Sequence, residues 1–257
     1  MSLRIDLNCD MGESFGRYRL GADVQVMDFI TSANIACGLH AGDPRTMRET
    51  VQLAADKSVA IGAHPGLPDL QGFGRRNMDL TPQEMHDMVL YQIGALDAFL
   101  QPHCARMQHV KPHGALYNMA ARNYSLAESL ARAIKAYRQD LIFIGLPNSE
   151  MQKAAEREGV RFAAEVFADR TYQPDGSLTS RRSPDAFIQD PLAAARRAVA
   201  MVREARVQAV SGEWIPIRAD TLCLHGDNPQ AVSFIQNIRQ QVERAGINIA
   251  ALGEWLP

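Results

Sequence analysis

The sequence predicts an α/β fold closed into a (β/α) barrel, and three observations carry that prediction. Short apolar runs alternate with capped, helix-like stretches almost throughout, at spacings of roughly 25–40 residues, the pattern of parallel strands joined by helices. The length of 257 residues suits a barrel of about 250 residues. No Gly/Ser linker, charge block or composition shift divides the chain, so residues 1–257 read as one domain. The competing architecture is an open doubly wound sheet, but its GxGxxG fingerprint after the first strand is missing.

Taken in order, the first strand falls at residues 3–7 and the second at 33–37. A helix follows over 44–57, with Asp43 as N-cap and Pro44 at the first helical position. A strand at 59–63 leads into a polar, Gly-rich insertion at 66–80. Thr81-Pro82-Gln83-Glu84 is a capping box and opens a long helix ending near residue 100. Strands at 107–110, 141–146 and 161–167 alternate with helices at 125–137 and 149–158. A second insertion covers 168–190, with Asp175-Gly176 as a turn signal. A helix at 190–206, an apolar run at 207–211, a strand at 221–224 and a helix at 228–245 complete the series. Residues 213–218 are expected to pair with a neighbouring strand as a small hairpin.

Composition excludes several classes of function. With 46% hydrophobic residues and a net charge of -2, the chain has the apolar content to fold and no basic excess for nucleic acid. Aromatics at 7% are too few for base-stacking platforms. There is no apolar run of about 18 residues, hence no membrane span. Asp6 and Asp10 interrupt the first apolar segment, which is not a signal peptide. Cys9, Cys37, Cys104 and Cys223 are widely spaced without a CxxC pair, so reduced thiols and a cytoplasmic setting are expected.

The chemistry lies in the polar residues that the apolar runs carry and in those just beyond their ends. Alternation puts Asp6, Asn8 and Asp10 on one face of the first strand, and His109, Lys111 and His113 on one face of another. Ala163, Glu165 and Phe167 share a face, as do Thr221, Cys223 and His225, while large aliphatics take the opposite faces. A purely structural barrel interior does not place Asp, Lys, Glu and His inward, because unpaired buried charge is costly; clustered, such groups compensate one another. His40, His64, His113 and His225 each come after an apolar run with Gly or Pro within two positions, at the position that becomes the C-terminal mouth of a barrel. Cys37-x-x-His40 is half a metal motif without a second half. Arg75-Arg76 and Arg181-Arg182 fall in the two insertions, where solvated charge and anion binding are equally open readings.

Those residues also carry a resemblance. LNCDMGESFG (7–16), SANIACGLHAGDP (32–44), HPGLPDLQGFGRR (64–76), VKPHGALYN (110–118), EVFADRTY (165–172) and LHGDNPQAV (224–232) resemble the LamB/YcsF family, the 5-oxoprolinase A subunits, in order along essentially the whole chain. The resemblance implies a TIM-like (β/α) barrel variant, seven-stranded in one form, related to glycoside hydrolase and deacetylase barrels. It implies ATP-dependent ring opening of 5-oxo-L-proline to L-glutamate, with two partner subunits, B and C. This chain has Leu39 where Phe is common, Leu67 where Tyr is common, and Asp185 where Gly is usual.

For that reaction, Asp10 or Glu165 is expected as the base for water, with Lys111 and Arg182 stabilising oxyanion or phosphoryl charge. His64, His113 and His225 are candidates to protonate the leaving nitrogen or bind a metal. Asp6, Asn8, His40, His64, Arg182 and His225 are the expected substrate-binding set, and Asp6, Asp10, His40 and His64 the candidate ligands if a divalent metal is bound. There is no GxxxxGK[ST] loop, so handling of ATP is expected from subunits B and C. Two other readings stay open: a metal-dependent deacetylase or carbohydrate hydrolase on the same barrel, and a non-catalytic binding subunit.

Overall fold

The computed structural model describes residues 3–224 and 231–256. Strands β1 (Arg4–Met11), β2 (Ser32–Ala36), β3 (Ala60–His64), β4 (Met107–Val110), β5 (Ile142–Gly145) and β6 (Arg161–Phe167) pair in sequence order, all parallel. After the β7 (Arg206–Gln208) and β8 (Trp214–Pro216) hairpin comes β9 (Thr221–Leu224), which lies between β6 and β1 and closes a seven-stranded barrel. Register across the closure sets Thr221 opposite both Asp6 and Glu165. A two-residue β10 (Asn248–Ile249) pairs with the N-terminal end of β1.

The apolar run at 207–211 is thus no barrel stave. Its first two residues belong to β7, which pairs antiparallel with β8 as the expected hairpin. A stave is buried on both faces; here Arg206 and Gln208 are exposed and only Val207 is buried.

Helices surround the barrel: α1 (Asp23–Val26), α2 (Pro44–Asp56), α3 (Pro82–Leu100), α4 (Gly114–Ala120), α5 (Tyr124–Tyr137), α6 (Glu150–Glu158), α7 (Pro191–Glu204) and α8 (Ala231–Arg244). Asp43 caps α2 through Thr46 N (2.8 Å), and Thr81 and Glu84 form the reciprocal capping box of α3. Residues 228–230 of the last expected helix lie outside the described residues. The four-residue α1 and the seven-residue α4 were not predicted; both are too short to show a helical period. Among the described residues, no helix is long and apolar enough to cross a membrane.

The strands divide their side chains as alternation requires. Ile5, Leu7 and Cys9 of β1 face the helices in the large apolar core, while Asp6 and Asn8 are buried inside the barrel. At Gly62 of β3 the absence of a side chain is a packing necessity, because an added Cβ would occupy the ring of His109.

Candidate active site

The barrel interior holds a polar column rising toward the C-terminal mouth. At its base Asp6 is fully buried and accepts from Thr31 Oγ1 and Ser32 Oγ (2.6 Å each) and from Thr221 Oγ1. Burial pushes its carboxyl up from 3.8 to about 6, against the lowering effect of those hydroxyls. One level higher, Asn8 donates to Thr221 Oγ1 (2.7 Å) and accepts from Asn34 Nδ2 (2.8 Å) and Lys111 Nζ (3.1 Å). Asn34 also donates to Asp10 Oδ1 and meets His109 Nε2 through its own oxygen, each at 2.8 Å. Burial, with Lys111 nearby, drops His109 to about 3, so its ring is neutral.

Lys111 is the junction of the column. Its Nζ lies 2.7 Å from Glu165 Oε1, 2.9 Å from Asp10 Oδ1 and 3.2 Å from Cys223 Sγ. Burial favours the neutral amine, but the two carboxylates reverse that and hold Lys111 well above the usual lysine range. Burial likewise works to raise Asp10, and His64 and Lys111 outweigh it, so Asp10 sits well below the usual carboxylate range.

Beside Asp10 the ends of β1, β2, β3 and β4 bring together Glu13, His40, His64 and His113, whose ligand atoms lie within 4.8 Å of one another. His40 and His113 are stacked, with ring centroids 3.8 Å apart, and His64 crosses both nearly at right angles. His40 Nε2 lies 3.3 Å from Glu13 Oε1. Burial and the neighbouring histidines lower His113 to about 2, and burial lowers His40 well below its usual range. Gly66 and Gly74 press against His40 so closely that neither position has room for a Cβ.

Above this floor opens a cavity of about 830 Å³. Asp10, Glu13, His64, Lys111 and His113 line its depth, and Arg75, Arg122, Arg170, Arg181 and Arg182 line its walls. The expected Arg75-Arg76 pair divides its labour: Arg75 faces the cavity, whereas Arg76 forms an ion pair with the buried carboxylate of Asp69 inside the first insertion. In the second insertion Arg170 donates to the Thr179 carbonyl (2.6 Å), and Arg170 and Arg181 both lie over the Phe187 ring. Asp185 replaces a usual Gly without backbone strain, since it is not among the residues with positive φ.

The LamB/YcsF family model matches residues 5–256. The chain belongs to the LamB/YcsF family. It is 54% identical over 251 residues to the 5-oxoprolinase A subunit of Bacillus subtilis (strain 168), covering 98% of each chain. It is 52% identical over 254 residues to the protein of the same name from Thermococcus sibiricus, covering 99% of this chain and all of that one. The crystal structure of the lactam utilization protein from Thermus thermophilus superposes with a TM-score of 0.92 at 44% identity, over 97% of this chain and 100% of that chain.

Within this LamB/YcsF barrel the residues singled out from sequence separate by depth. Asp10, Lys111, Glu165 and Asn8 meet in one network, and His40, His64 and His113 in the adjoining cluster. Glu165 and Asp6 are fully buried and do not line the cavity, whereas Asp10 does. Arg182 is exposed on the cavity wall, and His225 lies outside the described residues. Cys37 turns away from the cluster, its thiol on the Ile35 carbonyl (3.3 Å).

Four residues were missed. Asn34 was legible from alternation in β2, where Ser32 and Asn34 take every second place in a buried strand. Glu13 stood inside the first motif, LNCDMGESFG. Gln92 is a fully buried amide on the apolar stripe of α3, itself a signal, and it grips Gly66 through both backbone groups (2.9 and 3.0 Å). Phe73 acts through its carbonyl, which accepts from His113 Nε2 (2.8 Å); no side-chain pattern reports that.

Proposed function

We propose that this chain is the A subunit of a multisubunit 5-oxoprolinase, a hydrolase that opens the cyclic amide of 5-oxo-L-proline to L-glutamate with consumption of ATP. The observation that carries this reading is whole-length similarity to proteins of that name, at 54% identity across 98% of both chains in one case. Such breadth does not favour a deacetylase on the same barrel. The partners are subunits B and C, which bind and handle ATP, since this chain lacks a P-loop.

An unstrained lactam is a poor electrophile. Transfer of the ATP γ-phosphoryl group to the lactam oxygen, with loss of ADP, makes the ring carbon open to water. Water adds there and yields a proton to a base; the C–N bond then breaks, the nitrogen takes up a proton, and a second water hydrolyses the resulting acyl phosphate to the carboxylate and inorganic phosphate. Asp10 is the base, because it lies in the cavity and stays ionised through neutral pH. Glu165 fixes Lys111 from behind, and Lys111 faces the developing oxyanion. The arginine wall, with Arg182 at its exposed edge, receives the substrate carboxylate and phosphoryl group.

The test is L-glutamate release from 5-oxo-L-proline and ATP by this chain alone, by subunits B and C alone, and by all three. Release by the three together and by neither part is expected, and Asp10→Asn in the full complex should lower turnover by about 100-fold or more. Absence of release from the full set, or ATP-independent release by this chain alone, would refute the reading.

A further inference from the structure

Backbone carbonyls fix the tautomers of two cluster histidines. His64 Nδ1 lies 2.7 Å from the Lys111 oxygen, and His113 Nε2 lies 2.8 Å from the Phe73 oxygen. A carbonyl oxygen only accepts, so each of these nitrogens carries a hydrogen, which leaves His64 Nε2 and His113 Nδ1 as the ring nitrogens turned inward. Those two atoms face each other at 3.0 Å. Asp10 Oδ2 stands 3.3 Å from the first, and Glu13 Oε1 stands 3.4 Å from the second. Two inward-turned ring nitrogens and two carboxylate oxygens thus converge in a buried setting, an arrangement that needs a positive species among them.

We propose that a divalent transition-metal ion of the zinc class binds between His64 Nε2, His113 Nδ1 and Glu13 Oε1, with an open position beside Asp10. Spacing supports it: bonds of about 2.0–2.1 Å place adjacent donors about 2.8–3.4 Å apart at octahedral to tetrahedral angles, and the observed spacings are 3.0 and 3.4 Å. Ring orientation selects the donors. The planes of His64 and His113 cross at 87°, so one point can lie in both. His40 is stacked on His113 with planes 8° apart, so their in-plane lone pairs cannot converge; His40 supports Glu13 instead. Carbonyls on the far nitrogens are what orients a ligating imidazole, and a mixed nitrogen and carboxylate set suits zinc-class ions over magnesium or calcium. Of the residues the sequence offered as ligands, His64 is a donor, Asp10 adjoins the open position, His40 is a support, and Asp6 lies below with its oxygens on hydroxyls.

What the ion does rests on the proposed function, where it would polarise water or the ring carbonyl; its binding is read from this chain alone. The full-length chain, stripped with a chelator, is titrated with Zn²⁺ and with Co²⁺ by calorimetry and visible absorption. One ion per chain, a Co²⁺ spectrum with nitrogen ligation and a raised Tm are expected. Glu13→Gln and His113→Gln should each bind at least about tenfold more weakly. The outcome that overturns the proposal needs no variant: folded, stripped wild-type chain that takes up neither ion in excess, with imidazole ¹⁵N signals showing a proton shared between the rings. That outcome leaves the glutamate-release result standing, and a failed release assay leaves the titration standing.

Discussion

Asp6 shows how a single buried carboxyl couples the barrel interior to pH. An unfolded aspartate ionises near 3.9, whereas burial raises Asp6 in the folded protein to about 6 despite three hydroxyl donors. Between those values the folded state holds the extra proton. Its contribution to stability is therefore full below about pH 4 and is lost as pH rises through about 6, a change of about 3 kcal/mol for a fully buried group. Asp23, raised to about 6 mainly by burial, acts in the same direction, so the slope must be assigned by difference. Denaturant titrations from pH 4 to 7 should show Asp6→Asn losing less stability across the window than wild type. Identical slopes for the two proteins would show that Asp6 is ionised in the folded state over the whole range.

At the scale of elements, local rules were legible and distant ones were not. The caps of α2 and α3 and the alternation of β1 and β6 follow from neighbours in sequence, and the structure keeps them. The same alternation foretold the meeting of Asp10, Lys111 and Glu165, because a closed barrel turns every inward face toward one axis. That the 207–211 run is no barrel stave needed knowledge of which run is covered on both sides, and the grip of Gln92 on Gly66 spans 26 residues. That grip makes α3 part of the site, since Gly66 in turn confines His40. Gln92→Leu keeps the apolar stripe but leaves the Gly66 N–H and C=O unpaired, at a cost of about 1–3 kcal/mol each. The expected result is a clear fall in Tm with kcat/KM of the complex reduced further than global unfolding at the assay temperature accounts for. A variant matching wild type in both would mean that the 64–66 turn holds itself.

For the whole molecule, the net charge of -2 conceals an uneven distribution. Acidic groups are spent inside, on Lys111 and the histidine cluster, while five arginines stand around the cavity above them. A concave site walled by one sign of charge focuses its potential and raises the local concentration of the opposite charge, an effect that salt weakens. An anionic lactam or its phosphorylated form is drawn toward such a mouth. Arg182 is the place to test this because it is exposed on the wall, and surface substitutions of that kind change stability by only about 0.5 kcal/mol. Arg182→Glu should raise KM for 5-oxo-L-proline several-fold in the reconstituted complex, leave Tm near wild type, and flatten the rise of KM with salt. Arg157→Glu, an equal charge change at the exposed end of α6, serves as the control and should leave KM unchanged. Equal effects from both variants would trace the attraction to net charge, and no effect from either would remove Arg182 from the path of the substrate.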